Sequence, residues 1–87
     1  MNSETKSAYI TFSAVLDLFR KYPEYDLKFI RNGWNGENMY IMLQLPDDNS
    51  KMTLPYIYLK TANGDFVPWC PSQTDILATD WIQLPAE

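Results

Sequence analysis

Asn38-Met39-Tyr40-Ile41-Met42-Leu43-Gln44-Leu45 is the stretch whose reading decides the fold. Met39, Ile41, Leu43 and Leu45 alternate with Tyr40, Met42 and Gln44, the period of two that belongs to a strand. Both faces of that strand are largely apolar, so it calls for cover on both sides rather than for one wet face. Pro46-Asp47-Asp48-Asn49-Ser50 follows as a loop, then Tyr56–Thr61 reads as another strand. Asn63-Gly64 tolerates positive φ and turns the chain back into Asp65–Trp69, where Pro68 implies an edge or an end of pairing. Before the quoted stretch, Leu27–Arg31 reads as a short strand closed by Asn32-Gly33-Trp34-Asn35-Gly36. Trp81–Leu84 is a candidate last strand.

Toward the N-terminus the period changes. Phe12, Val15, Leu16 and Phe19 recur at i, i+3, i+4 and i+7, the stripe of an amphipathic helix. Thr11 is placed to cap it, Arg20 and Lys21 suit its negative end, and Pro23 stops it. Ser72 with Asp75 three residues on has the form of a capping box. The expected class is therefore α+β: one N-terminal amphipathic helix packed on a four- to five-stranded antiparallel sheet, with a short helical turn near residues 72–78. Residues 1–9 read as a flexible lead-in and residues 10–87 as a single domain.

Composition narrows the function. The chain has 87 residues with 7 basic and 11 acidic side chains, a net charge of −4. It has no histidine and one cysteine, Cys70. That removes Ser–His and Cys–His nucleophile pairs, imidazole metal ligands, an internal disulfide and a thiolate zinc cluster. No cofactor, metal or catalytic residue is expected. An acidic chain with two arginines, Arg20 and Arg31, is a poor binder of DNA or RNA backbone. No apolar run approaches the ~20 residues needed to span a bilayer. Aromatic residues make up 15%, an excess suited to cores, interfaces or stacking sites.

Two segments gather binding chemistry. In the first, Arg31 offers a phosphate fork, Trp34 a stacking face and Asn35 a donor and an acceptor. The same residues also suit a hairpin turn with a tryptophan folded over the core, and on spacing alone the turn is the stronger reading. In the second, Trp69 is stiffened between Pro68 and the nearby Pro71, and Ser72 opens a helical turn. Ser72 and Asp75 also suit simple capping, and Trp81 suits the core. Asp75 and Asp80 as an acid/base pair, Cys70 as a reactive thiolate and Asp47-Asp48-Asn49-Ser50 as a calcium loop are each weaker than their plain structural readings.

In order and spacing, Thr11-Phe12-Ser13, Gly33-Trp34-Asn35-Gly36, Tyr56-Ile57-Tyr58-Leu59-Lys60-Thr61, Val67-Pro68-Trp69, Ser72-Gln73 and Ala78-Thr79-Asp80-Trp81 resemble the Thoeris anti-defence protein two family. The resemblance runs from about Ile10 to Leu84. It implies a sponge, not an enzyme: a phage protein that binds a nucleotide-derived immune signal without cleaving it and so silences Thoeris immunity. The implied partner is a cyclic ADP-ribose-type signalling nucleotide, chiefly glycocyclic ADP-ribose, with cyclic dinucleotides taken up by some members. The resemblance also implies a homotetramer with pockets between protomers, at work in the cytoplasm of the infected bacterial host, with neither DNA, RNA nor membrane as partner. Carried over by motif, the ligand-binding residues would be Arg31, Trp34, Asn35, Trp69, Ser72, Gln73, Thr79 and Asp80. The chain departs from the family pattern at Ala14, where an acidic residue usually follows Thr-Phe-Ser, and at Thr79, where Glu is frequent. The competing function is a protein-interaction domain that blocks a host protein directly.

Overall fold

The computed structural model describes residues 9–34 and 39–85. Asn35, Gly36 and Asn38 therefore lie outside the described residues. Helix α1 covers Phe12–Lys21, and its apolar stripe turns Phe12, Val15 and Phe19 into the core. Thr11 caps it, its Oγ1 accepting the Ala14 N–H at 3.2 Å. Because position 14 is alanine and the first turn holds no acidic residue, this cap is one-sided. Tyr22 ends the helix, its N–H donating to the Leu18 carbonyl at 2.9 Å.

The strands are β1 (Tyr9–Ile10), β2 (Phe29–Arg31), β3 (Tyr40–Gln44), β4 (Tyr56–Lys60), β5 (Phe66–Pro68) and β6 (Trp81–Gln83), and a second helix, α2, spans Gln73–Leu77. Among the described residues the six strands form one sheet in the order β1-β6-β2-β3-β4-β5. All its pairings are antiparallel. This corrects the expectation of one helix on four or five strands: the molecule is mostly a six-stranded sheet carrying two short helices. The physical reason lies in β1 and α2. Two residues cannot display an alternation, so β1 exists through its ladder with β6, Tyr9 facing Ile82 and Ile10 facing Trp81. In α2 the capping box extends a turn into five helical residues.

Register assigns the faces. Phe29 pairs with Ile41, Ile41 with Leu59 and Leu43 with Ile57, so odd-numbered positions share one face. That face meets α1 in a core of Phe12, Val15, Phe19, Phe29, Ile41 and Trp81. Val15, Phe29, Ile41 and Trp81 are wholly buried. Each such side chain contributes roughly 1.5–3 kcal/mol on burial. Even-numbered positions line the other face: Tyr40 opposite Lys60, Met42 opposite Tyr58, Gln44 opposite Tyr56, and Ile30 opposite Ile82. The double apolar character of β3 is thus divided between a helix-covered face and one that carries neither helix. At the tip of the β4–β5 hairpin, Gly64 has φ +95°, the left-handed region that glycine enters without strain.

Candidate functional site

Three tryptophans converge beside the helices. Trp34 follows the turn after β2, where Gly33 has φ +92°. Trp34 meets Trp81 edge-on with centroids 5.5 Å apart. Trp69 follows β5 and meets Trp81 edge-on at 6.0 Å. Phe12 completes the group, 5.3 Å from Trp81 and 6.0 Å from Trp69. Trp81 is the buried hub, while Trp34 and Trp69 are half-buried around it. Edge-to-face pairs of this kind add about 0.5–1.5 kcal/mol each beyond their burial.

A polar bolt lies against the aromatic cluster. The Arg31 guanidinium donates through Nε to Asp80 Oδ1 at 3.1 Å and through Nη1 to Asp75 Oδ1 at 3.0 Å. Asp75 also caps α2: its Oδ2 accepts the Ser72 N–H at 2.9 Å, and Ser72 Oγ accepts the Asp75 N–H at 3.1 Å. The Asp75 carbonyl then accepts the Trp81 indole N–H at 3.0 Å. One residue thereby joins helix cap, arginine and indole. Burial raises the Asp75 carboxyl, but the bonds from the Ser72 backbone and from Arg31 outweigh it, and its pKa lies below the ordinary value. The bonds to Asp80 and then Asp75 raise Arg31 further above its already high value.

Of the residues singled out from sequence, the structure brings Arg31, Trp34, Trp69 and Asp80 together with Ser72 through Asp75. Gln73 opens α2 and is exposed, and Thr79 is exposed beside Asp80. Asn35 lies outside the described residues. Asp75 is the member whose second role the sequence hid: its spacing from Ser72 signals a cap, but nothing local signals an arginine 44 residues away. Arg31 with Asp75 and Asp80 carries one positive and two negative charges, so this corner is acidic rather than a ready phosphate cradle. The half-buried Asp80 carboxylate and the exposed hydroxyls of Ser72 and Thr79 are better suited to accept from sugar hydroxyls. Among the described residues no cluster of three or more His, Cys, Asp or Glu is arranged to hold a metal. No helix among them is long and apolar enough to cross a membrane.

Residues 10–84 match the Tad2-like family, described as the Thoeris anti-defense 2-like domain. The chain belongs to that family. It is also similar to "Thoeris anti-defense 2" of Bacillus phage SP01, with 31% identity over 85 residues, covering 83% of this chain and 91% of that protein. The two differ at most aligned positions, so this Tad2-like chain is a divergent relative of the phage protein. The family match takes in every element from α1 to β6, and with them the tryptophan cluster and the Arg31 bolt. Membership places the chain among Thoeris anti-defence proteins.

Proposed function

We propose that this Tad2-like protein is a phage anti-defence sponge that takes up a nucleotide-derived Thoeris signal, glycocyclic ADP-ribose, and holds it uncleaved in the host cytoplasm. The observation that carries the reading is the family match across residues 10–84. The tryptophan corner supports it. Trp34 and Trp69 keep exposed rims on which a base or ribose can stack. Ser72, Gln73 and Thr79 are exposed polar groups on the segment that joins Trp69 to Trp81, and Asp80 is half-buried. Asn35 enters by motif alone. The acidity of the corner favours hydroxyl reading by one protomer, with the phosphates met by cationic groups of another. A homotetramer with pockets between protomers answers both needs, and the uncovered sheet face gives it apolar surface to bury. Cyclic dinucleotides are a second ligand class for the same protein.

The test is direct. The protein is mixed with glycocyclic ADP-ribose, freed of unbound ligand by filtration and then heat-denatured, and the released small molecules are separated by chromatography. A sponge returns the signal intact. Fragments in the eluate would refute sequestration in favour of hydrolysis. No uptake would refute it in favour of a domain that blocks a host protein.

A further inference from the structure

All three glycines of the chain follow an asparagine, at 32–33, 35–36 and 63–64. The first and last of these pairs lie among the described residues. Asparagine before glycine is open to a self-reaction, because glycine puts no side chain in the way of its own nitrogen. Both described pairs are exposed, and a Cβ at either Gly33 or Gly64 would meet nothing within 4 Å. Room for a ring is therefore equal at the two turns, but their hydrogen bonds differ. The Gly64 N–H donates to the Thr61 carbonyl at 2.9 Å. That hairpin tip is pinned twice more: the Thr61 N–H donates to the Asp65 carbonyl at 2.8 Å, and Thr61 Oγ1 accepts the Asp65 N–H at 3.1 Å. At the other turn the Asn32 N–H donates to the Asp80 carbonyl at 3.0 Å, and the Trp34 N–H to the Arg31 carbonyl at 3.1 Å. The Gly33 N–H between them has no acceptor among the described residues.

The reaction balances with water as its co-reactant. The Gly33 amide nitrogen gives its proton to solvent base and attacks Asn32 Cγ, closing a succinimide ring. The Cγ–Nδ2 bond breaks, and that nitrogen leaves as ammonia, taking a proton back. Water then opens the ring on one of two sides. Cleavage between Cγ and the ring nitrogen leaves aspartate. Cleavage between the main-chain carbonyl carbon of residue 32 and that nitrogen leaves isoaspartate, whose chain runs one carbon longer. Nothing is oxidised or reduced. Position 32 gives both products consequences. A new carboxylate joins those of Asp75 and Asp80 around the single Arg31 guanidinium. Isoaspartate lengthens the turn that holds Trp34 5.5 Å from Trp81. The bond from Trp34 back to Arg31 spans the inserted carbon and is lost with it.

We propose that Asn32-Gly33 is a site of spontaneous deamidation, faster than Asn63-Gly64, and that its isoaspartate product releases Trp34 from Trp81. The tryptophan corner then has a limited lifetime, set by the turn that carries it. This modification stands apart from signal uptake, and no ligand enters its test.

The full chain is aged at neutral and at mildly alkaline pH, both folded and in guanidinium chloride. Mass spectrometry with peptide fragmentation locates each amide-to-acid change and separates Asn32 from Asn35. In folded protein Asn32 should convert about 2- to 13-fold faster than Asn63, the rate equivalent of the one net hydrogen bond that the Gly64 nitrogen must give up. Denaturant should bring the two near parity, and alkaline pH should speed both, since the attacking nitrogen must lose its proton. Indole N–H resonances of Trp34 and Trp81 should shift in step with isoaspartate at position 32. N32Q, whose longer side chain closes such a ring poorly, should age with those resonances fixed. N32D carries the charge without the longer backbone and should keep Trp34 against Trp81. Asn63 converting as fast as Asn32 in folded protein, or a preference for Asn32 that persists in denaturant, would overturn the site; this comparison uses the wild-type chain and stands whether or not a variant folds. Indole shifts that persist in aged N32Q, or that appear at once in N32D, would overturn the release of Trp34.

Discussion

Replacing Asp75 by alanine should cost far more than the loss of a helix cap, because its carboxylate serves two elements at once. The Ser72 N–H loses the acceptor that it has at 2.9 Å, and Arg31 loses the one at 3.0 Å. The cap alone is worth about 1 kcal/mol. A hydrogen bond to a charged group adds about 1.5–3 kcal/mol. The lower part of that range applies, since Arg31 keeps Asp80 and its side chain is 23% exposed. The expected loss for D75A is therefore about 2–3 kcal/mol. In urea, with a slope near 1 kcal/mol/M, the midpoint moves down by about 2–3 M. S72A removes the other half of the cap and leaves Arg31 alone, so it should cost only about 1 kcal/mol. A cycle of R31M, D75A and the double variant isolates the long-range bond, with an expected coupling of about 1–2 kcal/mol. If D75A is no worse than S72A, or the coupling is below about 0.3 kcal/mol, Arg31 and Asp75 are neighbours without being partners, and the bolt described here does not exist.

Three further outcomes follow from the same corner and the sheet. Asp75 has a lowered folded pKa, so its share of stability is whole above the unfolded value of about 3.9 and is lost as pH falls through the folded value. D75N should flatten that acid limb of a stability–pH profile and leave the neutral region displaced but level. Trp81→Ala, which empties a wholly buried site, should cost about 3–5 kcal/mol and leave little folded protein. Trp69→Ala should stay folded by thermal melting yet hold glycocyclic ADP-ribose about 5- to 150-fold more weakly, from ~1–3 kcal/mol of lost stacking; undiminished retention removes Trp69 from the site. Light scattering at micromolar concentration should give four times the 10.2 kDa chain mass, and a stable monomer would refute the tetramer.

Local chemistry was legible where it repeats over several residues. The stripe Phe12, Val15, Leu16 and Phe19 announces α1, the spacing of Ser72 and Asp75 announces a cap, and Asn63-Gly64 announces a turn. What escaped is what only pairing creates. Tyr9–Ile10 has no period of its own and is a strand through β6. Trp81–Gln83 looks like a marginal final strand but lies between β1 and β2. Arg31 reads as a phosphate fork in isolation, yet Asp75 and Asp80 reach it across 44 and 49 residues. The meeting of Lys28 and Lys60 over Tyr40 likewise depends on the register of three strands, which no short window of sequence reveals.

The insertion of β6 between β1 and β2 has a consequence for how the protein comes into being. Until residues 81–83 have been synthesised and have cleared the ribosome, β1 has no ladder and β2 has one naked edge. The Trp81 ring around which Phe12, Trp34 and Trp69 gather is also missing until then. The nascent chain can make α1 and the β3–β4–β5 meander early, because their contacts are close in sequence, but closure of the sheet waits on contacts of long sequence separation. During that interval an apolar strand edge is open to other chains. Among the described strands β6 acts as the fold's clasp, and the sheet closes only once residues 81–83 are available to pair with both β1 and β2.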